Sequence, residues 1–264
     1  MISNMNRDDF KESKDYIQSI DRMFQVLNTF SAENPSLTTS EIAQMTGLSR
    51  PTVRRILLTL EYLGYVKSDH ANFSLTMKII ELSSVYLSSQ TSVWQMAQPV
   101  MESFVRETGE SSSISILDDD NILYVARVSE KRIMSINLEV GSRLPAVSTS
   151  MGQVLLAYLP DDELKERLNK FQFKKFTENT IVDKEELYEI LMDIRKKGWG
   201  GVDQQLEEGV RSIAVPIRKL NGQVIAAINC SVHAGRVSKQ QLLEEFLPKL
   251  KEMARLIEKI VSIR

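Results

Sequence analysis

Arg50, Thr52, Arg54 and Arg55 are the residues whose types and spacing point most directly to a chemistry. A guanidinium presents a planar fork of donors that fits the O6 and N7 edge of guanine, or a phosphate. A threonine offers a hydroxyl and a methyl to phosphate or thymine. This is recognition chemistry, and the groups that turnover would need are scarce. The two histidines, His70 and His233, lie far apart, and the single cysteine, Cys230, sits between apolar neighbours as a small strand residue. No Gly-x-Ser-x-Gly elbow, Gly-rich phosphate loop or ligand-spaced cluster occurs. Asp118-Asp119-Asp120 lacks the later glycine and glutamate of a calcium loop and reads as a turn. The expectation is a chain that is not an enzyme and holds no cofactor and no metal.

The segment around those arginines explains how they would be presented. Thr38 and Glu41 have capping-box spacing, and Ile42, Ala43 and Met45 give the helix they start an apolar side. Gly47 permits the positive φ of a sharp turn, Ser49 can cap a second helix, and Pro51 is tolerated in its first turn. In that second helix Val53, Ile56, Leu57, Leu60 and Leu63 form a buried stripe, which leaves Arg54 and Arg55 on the free face. This is a helix-turn-helix, whose second helix can enter a major groove. Upstream, Ile20, Met23, Phe24, Leu27 and Phe30 predict a helix packing behind the pair. Downstream, Tyr65–Lys67 and Phe73–Leu75 predict two strands around a polar turn. Three helices followed by a hairpin is the winged-helix order. Candidate DNA contacts are then Thr38, Thr39, Ser49, Arg50, Thr52, Arg54, Arg55, Lys67 and His70, the last two being either phosphate contacts or solvated wing residues.

Composition neither demands nor forbids this. A formal charge of −2 and a pI near 5.9 describe the whole chain, whereas the arginines belong to one helix. One cysteine excludes an intramolecular disulfide and fits a reducing cytoplasm. No apolar run approaches the ~18 residues of a membrane span. The polar stretch up to Asp15 reads as a disordered arm.

Beyond the wing, a linking helix is expected from Leu75 to about Gln90, then a second helix from Trp94 to Thr108. The period then changes to alternation. Ser113–Leu117 and Ile122–Val128 make a hairpin, and Met134–Val140 a further strand. Ser150 opens a helix stopped by Pro160, and helices follow at Asp161–Phe171 and Lys184–Lys197. Strand character returns at Trp199–Gln205, Arg211–Pro216 and Val224–Val232. A long amphipathic helix starts at Ser238 and should bend at Pro248. The domain expectation is an arm (1–15), a winged helix-turn-helix (16–77), a linker helix (78–92) and a sensor domain (93–264) whose mixed sheet forms a cup.

With these segments the chain resembles the IclR family of bacterial transcription regulators, from about Tyr16 to the C-terminus. The matching stretches are the winged helix, Gly141-Ser142-Arg143-Leu144-Pro145-Ala146, Thr149-Ser150-Met151-Gly152, Glu207–Pro216 and Ala226-Ala227-Ile228. Others, such as Tyr124-Val125-Ala126-Arg127-Val128, resemble the branch that regulates the β-ketoadipate pathway and responds to protocatechuate, 4-hydroxybenzoate or related acids. The resemblance implies an α+β fold with a GAF-like effector-binding domain, and a DNA-binding regulator, mostly activating, that acts as a homodimer or dimer of dimers. RNA polymerase is a further candidate partner, and no membrane is implicated. Effector positions carried over by resemblance are Ile136, Leu144, Ser150, Met151, Val210, Ser212, Asn229 and Ser231, with Arg127 and Asp203 added. A carboxylate is expected at the Ser150–Met151 amides, where a helix start offers free donors. Val202 replaces a position often acidic in the family, Ser212 one often cysteine, and Asn229–His233 departs from the usual Ser-x-Ser-Gly-Pro. These changes argue against small keto-acid ligands. Three alternatives stay open: a repressor answering a short keto acid, an enzyme with an accessory DNA module, and a sensor whose helix-turn-helix serves protein contacts.

Overall fold

Gly47 and a capping threonine set the layout of the amino-terminal unit. The computed structural model describes residues 10–31, 33–130 and 138–262, and it divides into two units, up to Ser89 and from Gln90. In the first unit, helix α1 (Gln18–Leu27) precedes strand β1 (Ser36–Thr38), helix α2 (Thr39–Thr46) and helix α3 (Arg50–Tyr62). Thr38 caps α2 by accepting from the Glu41 amide, while the Glu41 carboxylate accepts from the Thr38 amide at 2.7 Å. Gly47 ends α2 at φ 70°, in the left-handed region a side chain would resist. Ser49 then caps α3 by accepting from the Thr52 amide at 3.3 Å. Strands β2 (Val66–Asp69) and β3 (Asn72–Leu75) pair antiparallel, and β1 adds to β3, giving the order β1-β3-β2.

Val26, Leu37, Ile42, Val53, Leu57, Leu60, Val66 and Phe73 form this unit's core, each large side chain contributing about 1.5–3 kcal/mol by leaving water. Several expected core positions are exposed instead. Ile20, Phe24, Met45 and Leu63 keep 48%, 53%, 53% and 44% of their surface. Val26, not Phe24, is the buried face of α1, because α1 turns a different side to α3 than the aromatic spacing suggests. Strand β1 has no signal in its three residues, Ser-Leu-Thr, beyond the single buried Leu37.

Helix α4 (Lys78–Thr108) runs unbroken where two helices were expected. Its latter part belongs to the second unit, together with strands β4 (Ser111–Asp118), β5 (Asn121–Val128) and β6 (Arg143–Pro145) and helix α5 (Ser150–Ala157). Helices α6 (Asp161–Lys170) and α7 (Lys184–Lys197) follow. Next come strands β7 (Gly200–Asp203), β8 (Val210–Arg218) and β9 (Val224–His233), a short helix α8 (Lys239–Gln241) and helix α9 (Leu247–Ser262). The sheet order is β6-β5-β4-β9-β8-β7, and every described pairing is antiparallel, which corrects the expected mixed sheet. Hairpin partners and reversed returns replace the parallel crossovers a mixed sheet requires.

Strict alternation along β8 and β9 sends Ile213, Val215, Ile217, Ile228 and Cys230 to one face, against α4 and α9. Ala214 and Ala227 go to the other, under α5 and α7. Where a bend was expected at Pro248, the helix carries a π-helical stretch, Leu242–Phe246, that ends two residues before it. A proline cannot donate to the preceding turn, so the ladder widens there. The expected strand Met134–Val140 falls largely in residues 131–137, outside the described residues.

Candidate functional sites

Helix α3 supplies the first site. Its buried stripe, Val53, Leu57 and Leu60, fixes the rotation of the helix, so Arg50, Arg54 and Arg55 are exposed. None of the three forms an ion pair among the described residues. The hydroxyls of Ser49 and Thr52 lie 2.8 Å apart at the helix start, and Thr38 spends its oxygen on the α2 cap. Thr39 is half-buried in the first turn of α2. The wing is tied to α3, the Ser68 amide donating to Glu61 Oε1 at 3.0 Å, and the start of α4 is tied to the end of α3, Lys78 Nζ donating to the Leu63 carbonyl at 2.8 Å. At its tip His70 takes φ 54°, with Nε2 3.8 Å from Asp69 Oδ1, and Lys67 stands exposed. The unit therefore offers free cations and capped helix starts on the side away from its core.

The second site is a cavity of about 110 Å³ in the second unit, between the sheet and the start of α5. That volume is below the ~150 Å³ that holds benzene in an engineered core, so one ring is the upper limit and its entry requires the lining to shift. Its floor is a polar band unusual for a sheet interior. Ser212 and Asn229 line the cavity and are buried, and the buried Ser113 lies behind them, bonded to Asn229. The Ser113 amide donates to Asn229 Oδ1 at 2.9 Å, and Asn229 Nδ2 donates to Ser231 Oγ at 2.9 Å. Ser150 Oγ meets Ser212 Oγ at 2.8 Å, which fixes the helix start over β8.

Helix α5 points its amino end at this floor. Thr149 caps it, occupying the Gly152 and Gln153 amides. The Ser150 and Met151 amides have no acceptor among the described residues, and both residues line the cavity. The partial positive charge of the helix start adds to these two donors. Gly152 makes the geometry available: a Cβ there would lie 2.1 Å from the Ala146 carbonyl oxygen.

Arg127 enters from β5. A register shift opposite Ile114/Ser115 changes the parity of that strand, so Tyr124 and Arg127 both line the cavity. Arg127 Nη1 donates to Ser113 Oγ and Nε to Ser129 Oγ, both at 3.0 Å. Desolvation lowers the guanidinium from the ordinary arginine value, with Tyr124 acting the other way. Burial pushes the Tyr124 phenol up to about 12, with Arg127 opposing, so it is neutral at pH 7.

Of the positions expected in an effector site, Arg127, Leu144, Ser150, Met151, Val210, Ser212, Asn229 and Ser231 come together around this cavity. Ile136 lies outside the described residues. Asp203 is not part of the cavity lining: its carboxylate accepts from Arg211 Nε at 2.8 Å and faces Lys239 Nζ at 2.9 Å, because alternation along β7 turns Val202 inward instead. Sequence reasoning missed Tyr124, Leu138, Thr149 and the loop Gln205-Leu206-Glu207, which also line it. That loop has no periodicity. It is held by the Thr177 and Thr180 hydroxyls on the Gln204 and Gln205 carbonyls, both at 2.6 Å, and by Gln153 Nε2 on Gln205 Oε1 at 3.0 Å. Among the described residues no group of acidic, histidine or cysteine side chains is arranged to hold a metal ion, and no helix is long and apolar enough to cross a membrane.

Comparison with known proteins bears on both sites. Residues 19–70 match the IclR helix-turn-helix domain, and residues 85–259 match the C-terminal domain of bacterial transcriptional regulators of the IclR type. The chain is 41% identical to the Pca regulon regulatory protein of Pseudomonas putida, over 91% of this chain and 83% of that one. A Rhodococcus sp. RHA1 structure, of a candidate transcriptional regulator, is 44% identical with a TM-score of 0.80, covering 93% of this chain and 98% of its own. An IclR homologue of Microbacterium hydrocarbonoxydans, in complex with 4-hydroxybenzoate, is 25% identical with a TM-score of 0.79, covering 92% and 98%.

Proposed function

We propose, from the premise that the chain belongs to the IclR family of DNA-binding transcriptional regulators, that it controls genes of aromatic-acid catabolism in the cytoplasm. In this reading α3 lies in a major groove. Arg50, Arg54 and Arg55 meet base edges and phosphates, Ser49 and Thr52 sit at the helix start, and Lys67 and His70 of the wing meet the backbone. Thr38 and Thr39 approach phosphate at the start of α2. Two copies reading paired half-sites satisfy the symmetry a helix-turn-helix regulator imposes on its operator.

The second unit takes a small aromatic acid such as protocatechuate or 4-hydroxybenzoate as effector. The cavity itself carries this reading most strongly. Its lining combines apolar walls at Leu144, Val202 and Val210 with a guanidinium and helix-start donors, and its volume sets a single ring as the upper limit. The relatives support the same class: one is a Pca regulon regulator and another was crystallised with 4-hydroxybenzoate. The sign is activation, as resemblance to the β-ketoadipate branch implies. An acid shifts the regulator only by binding one of its arrangements more tightly than the other. The chain passes from the first unit to the second within α4, which makes that helix the proposed carrier of the change.

A thermal-shift titration with protocatechuate, 4-hydroxybenzoate, glyoxylate and pyruvate tests the class. An acid at 100 times its Kd adds about 2.7 kcal/mol of stability. The aromatic acids should raise the melting temperature. A shift with glyoxylate or pyruvate alone would favour a keto-acid regulator.

A further inference from the structure

Arg127 differs from most partly buried arginines of its unit: Arg106 and Arg255 are exposed, and Arg218, which also lacks a carboxylate among the described residues, stacks on the Tyr158 ring away from the cavity. Arg143, Arg167, Arg195, Arg211 and Arg236 each face a carboxylate. Arg127, partly buried at the cavity wall, meets two neutral hydroxyls, and no carboxylate lies within 4.0 Å of it among the described residues. The adjoining segment 131–137 contains no acidic residue. Glu207 reaches the cavity rim but is exposed and does not pair with it. A desolvated cation without an anion is costly to keep, and the missing anion is the natural complement of the site.

The start of α5 is a weaker claimant for a carboxylate. It belongs to a helix of eight residues and carries a partial charge, and its Ser150 hydroxyl is already engaged by Ser212. Charge-assisted bonds to a guanidinium are roughly twice as strong as neutral ones, and a guanidinium can hold both carboxylate oxygens at once. The two poles are also well separated. Arg127 Nη1 lies over Ser113 of β4, and Ser150 over Ser212 of β8, two strand positions away in the order β4-β9-β8. At about 4.8 Å per strand, this spacing matches the length of a ring with a polar group at each end.

We propose that Arg127, rather than the α5 start, receives the effector's carboxylate, and that the Ser150 and Met151 amides take an oxygen at the far end of the same molecule. The preferred ligand is thus an acid carrying a distal hydroxyl or other oxygen, bound in the orientation opposite to that expected from the helix start. This rests on the aromatic-acid reading above and extends it to orientation and specificity.

Calorimetric titration of wild type, Arg127→Gln and Arg127→Lys with 4-hydroxybenzoate, 4-hydroxybenzamide and benzoate decides the matter, with pyruvate and pyruvamide as a ring-free pair. Wild type should prefer 4-hydroxybenzoate over its amide by about 100-fold. In Arg127→Gln that ratio should fall below about tenfold, and Arg127→Lys should recover part of it. Loss of the distal hydroxyl, in benzoate, should weaken binding by the same factor in wild type and Arg127→Gln. Circular dichroism confirms that the variants are folded. An acid-to-amide ratio unchanged in folded Arg127→Gln overturns the assignment. If only pyruvate binds wild type, the aromatic reading falls while the pyruvate-to-pyruvamide ratio still judges Arg127. No binding by any of these compounds overturns both.

Discussion

Single side chains separate the two sites by the kind of work they do. Arg54 is exposed and makes no side-chain hydrogen bond or ion pair among the described residues, so its truncation should leave the fold intact and remove only recognition. Arg54→Ala is expected to lose about 1–3 kcal/mol of discrimination if it grips a guanine edge, measured as the ratio of specific to non-specific duplex affinity. If Arg54 instead neutralises one phosphate, affinity drops for every sequence alike, and the slope of log K against log salt falls by about 0.9. Unchanged duplex binding would return the helix-turn-helix to protein contacts. The residue scale is also where the sequence was least legible. Arg54 and Arg55 could be placed from the stripe of Val53, Leu57 and Leu60, because helical period fixes direction. Arg127 and Asp203 could not, since a bulge in β5 and the edge position of β7 decide which way a strand residue points. Neither feature leaves a mark in the side-chain pattern.

At the scale of elements, caps and close approaches decide where the functional groups sit. Thr38→Ala should destabilise the first unit by about 0.5–2 kcal/mol, read as a lowered denaturant midpoint, since it removes the hydroxyl half of the α2 capping box and leaves only Glu41 on the backbone amide. Gly152→Ala should damage both fold and cavity, because the added methyl overlaps the buried Ala146 backbone and the α5 start must move; the melting temperature should fall, and effector affinity should fall at least tenfold in the folded fraction. An unaltered affinity would show that the α5 start takes no part in binding. The β7–β8 edge carries a pH signature. Burial alone would raise the Asp203 carboxyl, but hydrogen bonds and charges from Arg211 and Lys239 together hold it below the ordinary value. A carboxyl depressed on folding stabilises above its unfolded pKa of about 3.9, and that contribution is lost as pH falls through the folded value. Asp203→Asn should therefore be less stable than wild type at pH 7, and the gap should close in strong acid. Elements themselves were largely legible: Thr38-x-x-Glu41, Gly47, Ser49 and Pro51 stand where the helices start and stop. Strand β1, strand β6 and the continuity of α4 were not, because three-residue strands carry no period and the serines and polar residues midway along α4 look like a break.

For the whole molecule, the chain joins a unit with free cations on one helix to a unit whose cavity holds an unpaired guanidinium. Its net charge of −2 leaves the arginines of α3 as a local attraction, so duplex binding should be strongly salt-dependent despite the acidic average. The architecture was readable because periodicity changes from helical to alternating after Gly109. The cavity's lining was reached through resemblance rather than pattern, because it comes from strands and a loop distant in sequence. In the proposed function, a small organic acid held at Arg127 governs transcription from DNA held by α3. The most direct test is transcription from a promoter fragment upstream of the chain's own gene, measured against 4-hydroxybenzoate concentration for wild type, Arg127→Gln and Arg54→Ala. Wild type should give a saturable rise, Arg127→Gln the same curve displaced to about 100-fold higher concentration, and Arg54→Ala a flat line. A flat wild-type response to every single-ring acid, or a midpoint unmoved by Arg127→Gln, would contradict the account.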